Sequence, residues 1–167
     1  MEKTKGQALV ERLEAFIARY VHFPADLPAV PLVLAVWCIH TWLQERFTTT
    51  PYLAITASTK GSGKTLCMEV LGLVCRGSKM FATLRLLAVL RLAQAYDGLL
   101  TCFFDEAEKL SKREASDVRS LMTTGYRKGS THPVTVGKTA IEFDVYFPKC
   151  FALIGDVVDV IRDRSIV

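Results

Sequence analysis

The sequence predicts an α/β fold with a mostly parallel central sheet. Three observations carry this. Short apolar strand patterns alternate with helical ones, a glycine-rich turn joins one strand to a helix, and another buried strand ends in two adjacent carboxylates. The 167 residues suffice for one domain burying roughly 70% of its unfolded surface.

The elements follow in order. Residues 6–20 place Leu9, Val10, Leu13, Phe16 and Ile17 at helical spacing. Residues 22–28 break the pattern with two prolines, and a second helix is predicted from about 29 to 47, with Pro31 tolerated in its first turn. The run Thr48-Thr-Thr-Pro51 ends that helix and leads into a first strand, residues 52–57 (YLAITA). After the glycine-rich turn, residues 66–74 are helical. Arg76-Gly77-Ser78 is a turn, 79–82 a short strand, and 84–96 a helix that Asp97-Gly98 stops. Residues 99–104 (LLTCFF) form a buried strand, followed by a polar helix over about 113–126. Residues 134–136 and 140–145 alternate as a hairpin around Gly137-Lys138-Thr139, 150–154 are a further buried strand, and 157–161 a short helix. The division is an N-terminal helical segment, 1–49, packed on a core, 50–167. The last residues look like a strand beginning, so a chain cut from something longer, ahead of a C-terminal lid, is expected.

Composition narrows the class. Charged residues are 23% and apolar residues 50%, an ordinary globular balance, and the net charge of +4 permits nucleic-acid contact without demanding it. The five cysteines form no Cys-x-x-Cys pair and no zinc spacing. They read as buried core residues of a protein in a reducing cytoplasm. The longest apolar stretch, 30–43, is too short to span a bilayer, and the charged N-terminus has no apolar segment behind it, so neither membrane nor signal peptide is expected. His40, Phe103 and Phe104 read as core or interface residues.

The chemistry concentrates in two places. Ser58-Thr59-Lys60-Gly61-Ser62-Gly63-Lys64-Thr65 lies between a strand and a helix, the layout of a phosphate-binding loop. A triphosphate needs backbone N–H groups with no intruding side chain, which Gly61 and Gly63 provide; the N–H groups opening the helix, through Leu66, add positive potential. Lys64 suits the β- and γ-phosphates, and the Thr65 hydroxyl suits Mg²⁺. The first position of the usual pattern is glycine, and here it is Ser58. The second place is Asp105-Glu106. A parallel strand carries them to the same sheet edge as the loop, where Asp105 can hold the Mg²⁺ shell and Glu106 can act as general base toward water. The alternative is an acidic helix start. A nucleoside triphosphate with Mg²⁺ is therefore the expected ligand.

With these elements the chain resembles AAA+-type P-loop ATPases, and more narrowly a family of ATPase domains of phage and mobile elements associated with helicases and primases. The resemblance covers nearly the whole chain. It rests on Trp37-Cys-Ile-His-Thr41, Thr50-Pro-Tyr-Leu-Ala-Ile-Thr56, Gly63-Lys-Thr65, Phe104-Asp-Glu-Ala107, Gly125-Tyr-Arg-Lys-Gly129, Phe151-Ala-Leu-Ile-Gly155 and Ile161-Arg-Asp-Arg-Ser-Ile166. It implies a three-layer P-loop NTPase core, with the hairpin inserted before the last core strands.

The resemblance also implies site residues. A polar residue after the 150–154 strand would orient the lytic water; Asp156 is nearest, though the usual Asn, Ser or Thr is absent, and a helix-capping Asp is the other reading. An arginine reaching a neighbouring subunit's γ-phosphate would be Arg164, with Arg162 second, giving a homo-oligomeric ring or dimer. A surface ion pair is the alternative for Arg164. Lys138 at the hairpin tip would contact DNA; an ordinary turn lysine is the alternative. The implied activity is ATP hydrolysis driving helicase- or loader-like work on DNA, in replication of a mobile element. The rivals are a regulatory ATPase acting on protein partners and a P-loop kinase.

Overall fold

A computed structural model describes residues 3–57, 59, 61–82, 85–105, 112–154 and 162–167. Two helices come first. Helix α1 (Lys5–Tyr20) opens with Thr4, whose hydroxyl accepts from the Gln7 backbone while the Gln7 side chain accepts from the Thr4 backbone. Helix α2 (Val30–Leu43) carries Pro31 in its first turn. It ends four residues earlier than the sequence predicts, and Gln44–Arg46 tighten into a 3-10 turn. The Tyr146 hydroxyl lies 3.0 Å from the Gln44 carbonyl and 2.9 Å from that of Phe47, satisfying acceptors that a continued helix would have used.

The core alternates strand and helix as expected: β1 (Tyr52–Ala57), α3 (Lys64–Gly72), β2 (Ser78–Phe81), α4 (Leu86–Ala95), β3 (Thr101–Phe104) and α5 (Lys112–Thr124). Helix α4 stops where Asp97 and Gly98 both take positive φ, 51° and 72°. The hairpin β4 (Thr131–Val136) and β5 (Thr139–Asp144) comes next, then β6 (Lys149–Ile154) and β7 (Ser165–Ile166). The hairpin is longer than predicted. Pro133 is tolerated because β4 pairs only with β5, in a sheet of two strands. The predicted helix at 157–161 falls outside the described residues.

Five strands form one sheet in the order β2-β3-β6-β1-β7, and every pairing is parallel. Side-chain alternation along these strands divides the interior. Tyr52, Ala54, Cys102, Phe104 and Phe151 face a cluster with Val89, Leu90 and Leu121 from α4 and α5, joined by Phe143 of the hairpin. Leu53, Phe103, Cys150 and Ala152 face the other cluster, with Ile17, Trp37, Met68 and Leu71 from α1, α2 and α3. The result is three layers, helices on both faces of a mostly parallel sheet, with α1 and α2 in the same layer as α3. Phe103 is fully buried and lies edge-on to Trp37; truncating such a ring typically costs about 3–5 kcal/mol.

All five cysteines are buried and free. Among the described residues no helix is long and apolar enough to cross a membrane.

Candidate nucleotide site

Because the sheet is parallel, β1, β3 and β6 deliver their carboxyl ends to one edge. That edge is where ligands of open α/β sheets bind. At the end of β1 the chain turns through Gly61 (φ 74°) and Gly63 (φ 84°) into α3. A Cβ at either glycine would meet nothing within 4 Å, so it is the left-handed backbone, not crowding, that calls for glycine here. Gly63 caps α3, and its carbonyl accepts from Cys67 N at 2.9 Å. The N–H groups of Lys64, Thr65 and Leu66 therefore open the helix without intrahelical acceptors, aimed out of its first turn.

The Lys64 ammonium folds back over its own loop, donating to the Thr59 carbonyl at 3.3 Å and to Ser62 Oγ at 3.2 Å. Both bonds are long and lie at the surface, so they hold the lysine weakly. Ser58 and Lys60 lie outside the described residues.

The second motif meets the first here. Asp105 follows the last residue of β3, and its backbone N–H bonds the Phe81 carbonyl of β2 at 3.1 Å, which fixes it at the sheet edge. Its carboxylate accepts a 2.8 Å hydrogen bond from the Thr65 hydroxyl. Two hard oxygen groups from separate motifs thus lie side by side at a helix N-terminus. Among the described residues no cluster of three or more His, Cys, Asp or Glu could hold a metal unaided. A two-oxygen site fits Mg²⁺, which normally takes one or two protein oxygens and fills its octahedron with phosphate and water; it fits neither zinc nor a calcium cage. Glu106, the predicted base, is next in the chain and lies outside the described residues, as does Asp156.

The other predicted residues are elsewhere. The Tyr52 N–H donates to the Arg164 carbonyl at 2.9 Å, so Arg164 stands at the amino end of β1. That is about 17 Å of strand away from the glycine-rich turn of its own chain. Its guanidinium donates to the carbonyls of Met122 (3.2 Å) and Thr123 (2.6 Å) at the end of α5, over the Tyr126 ring. A helix carboxyl end is a favourable place for a cation. No described ion pair joins Arg164 to an aspartate. Arg162 is exposed. Lys138 is exposed at the two-residue tip of the β4–β5 hairpin, beside Gly137 (φ 65°).

Sequence reasoning missed Lys149. It is fully buried, and its ammonium donates to the carbonyls of Val145 (2.8 Å), Phe147 (2.9 Å) and Gly125 (3.2 Å), 3.8 Å from the Phe147 ring centre. All three donors are used, tying the end of α5 to the hairpin's exit. Burial nevertheless pulls its pKa down to about 7, while burial pushes the adjacent Cys102 thiol up to about 12. A lysine between the apolar runs 145–147 and 150–154 was the available clue. Lys149 lies at the amino end of β6, the edge opposite the glycine-rich turn, so its part is structural.

Compared with known proteins, the chain matches no family model and no curated protein. The assignment of function rests on the geometry just described.

Proposed function

We propose that this domain binds ATP with Mg²⁺ and hydrolyses it, as the AAA+-type ATPases it resembles would. The observation that carries the reading is the Thr65–Asp105 hydrogen bond. A glycine-rich turn alone accounts for phosphate affinity. A carboxylate delivered from another strand to the hydroxyl at the helix start accounts for a metal-assisted reaction as well.

In this reading Gly61 and Gly63 keep side chains out of the phosphate cradle, and the N–H groups of Lys64, Thr65 and Leu66 bond phosphate oxygens. Lys64 leaves its loop contacts for the β- and γ-phosphates. Thr65 and Asp105 hold Mg²⁺, which neutralises charge on the phosphates when bound. Glu106 takes a proton from the attacking water, and that role separates hydrolysis from phosphoryl transfer to a small molecule. The five buried free thiols fit a reducing cytoplasmic setting.

The work driven is proposed to be helicase- or loader-like movement of DNA by an oligomer. The exposed Lys138 at a projecting turn supports this, since a phosphate contact asks only for a cation on such a tip. Arg164 serves a neighbouring subunit only if it is released from the α5 carbonyls at the contact. The test is ATP turnover with and without single-stranded DNA. Stimulation by DNA that Lys138→Ala abolishes is expected. Turnover indifferent to DNA in both proteins would instead favour the regulatory ATPase acting on protein partners.

A further inference from the structure

The outer face of α2 is apolar from end to end. Residues Val30–Leu43 carry no Asp, Glu, Lys or Arg, and a helix that is hydrophobic all round belongs in an interior. Only one side of α2 is used by the core, through Leu34, Ala35, Trp37, Cys38 and Thr41. Leu32, Val36, Ile39 and Leu43 follow one another at helical spacing along the other side, and Val36 (51%) and Leu43 (47%) are about half exposed. Beside this ridge runs a groove of about 490 Å³ lined by Leu9, Ile39, Leu43 and Trp42, the last 55% exposed although its indole N–H is satisfied by the Val74 carbonyl.

We infer that this face is a two-fold interface between two copies of this chain, with their α2 helices antiparallel. Three features select a second copy. First, the exposed parts of these side chains amount to on the order of 500 Å² of apolar surface, the size of the largest patch on a typical monomer, where interaction sites are found. A standard interface takes about 800 Å² per partner, a little over half of it apolar, so the patch supplies what one half of a dimer needs. Second, ridge and groove lie side by side on the same surface, so the ridge of each copy enters the groove of the other under a two-fold axis, and an uncharged stripe meets itself without repulsion. Third, the flanks are complementary under that axis. Exposed Asp26 lies in the turn ahead of α2 and exposed Arg46 in the turn after it, while Glu45 is already paired with Arg76 at 2.9 Å. Antiparallel helices bring Asp26 of each copy toward Arg46 of the other.

The contact is separate from any that would carry Arg164 into a neighbour's nucleotide site, because α2 and α5 lie on opposite faces of the sheet. It is also independent of the nucleotide reading.

The experiment is sedimentation equilibrium of the purified chain, paired with acrylamide quenching of tryptophan fluorescence. Trp37 is buried throughout, so the quenchable signal is Trp42. A monomer–dimer equilibrium is expected, with quenching falling as dimer forms. Val36→Arg is expected to raise the dissociation constant tenfold or more, with an unchanged unfolding midpoint at concentrations where the parent is monomeric. Arg46→Asp weakens the dimer, and Asp26→Arg added to it restores association. A monomer at every concentration overturns the inference, as does a dimer indifferent to Val36→Arg or a charge swap that restores nothing. Trp42 shielded in a monomer assigns the face to a different occupant and equally overturns it.

Discussion

The hydroxyl of Thr65 donates to the carboxylate of Asp105 at 2.8 Å across forty residues of chain. Both groups reach solvent, so the bond itself contributes only about 1 kcal/mol to stability. Its significance is positional. The parallel pairing of β1 and β3 with β6 brings the glycine-rich turn and the acid-ended strand to one edge, and the bond marks where they meet.

If that pair holds the metal, Thr65→Ser keeps the oxygen and should retain Mg²⁺-dependent nucleotide binding. Thr65→Val keeps the shape and loses the oxygen. A loss of about 10–100-fold in Mg²⁺-dependent affinity is expected, with little change when the metal is chelated. Titrating a fluorescent ATP analogue with and without EDTA checks it; equal losses in both conditions would assign Thr65 to the fold instead.

Glu106→Gln should leave ATP binding intact and lower turnover by about 10²–10⁴-fold, the usual contribution of a positioned general base. Single-turnover hydrolysis beside equilibrium binding separates the two effects. Unchanged turnover would give the base role to another residue.

Lys149 makes stability depend on pH. Its folded pKa of about 7 lies below its ordinary value of 10.5, because burial disfavours the charge. Above pH 7 the unfolded chain holds a proton that the folded chain has released, so stability rises with pH, by at most about 1.4 kcal/mol per pH unit. Below pH 7 both states are charged and the penalty is fully present. The buried thiols of Cys67, Cys75, Cys102 and Cys150 are all raised and act in the opposite sense once the unfolded thiols begin to ionise toward pH 9, so the lysine's window is pH 7 to 8. Denaturant midpoints at pH 7, 7.5 and 8 should rise in the parent and stay nearly flat in Lys149→Met. That variant should also be less stable at pH 7 by about 3 kcal/mol, from three carbonyls left unpaired. Parallel profiles in the two proteins would remove Lys149 as the source.

The strands and the site were legible in the sequence to different depths. β1 and most of β6 read directly, because central parallel strands are near-continuous apolar runs, YLAITA and the CFALI that follows Lys149. The Asp97-Gly98 stop was equally plain. Strand order was not, since pairing β1 with β6 joins residues about a hundred apart and leaves no local pattern. β3 begins two residues later than predicted because Leu99 still bonds the Tyr96 carbonyl within the turn. Helix α2 was overrun at its end because the acceptors there are satisfied by Tyr146, from distant chain. Arg164 and Lys149 share that reason: their partners are backbone carbonyls of α5 and the loops around it, and carbonyls carry no sequence identity. At the candidate site, Gly61, Gly63, Lys64, Thr65 and Asp105 were found because their chemistry is encoded in residue type and spacing, while the contact between Thr65 and Asp105 required the fold.

The central claim is that this loop binds a nucleoside triphosphate through Lys64. The most direct test is equilibrium binding of ATP with Mg²⁺ to the parent chain and to Lys64→Ala, which is expected to fold normally because the two contacts Lys64 makes among the described residues are long and at the surface. Saturable binding by the parent is expected, with a loss of at least about tenfold in Lys64→Ala, as removing a charge-assisted phosphate contact implies. Equal affinity in the two proteins, or no binding by the parent, would contradict it.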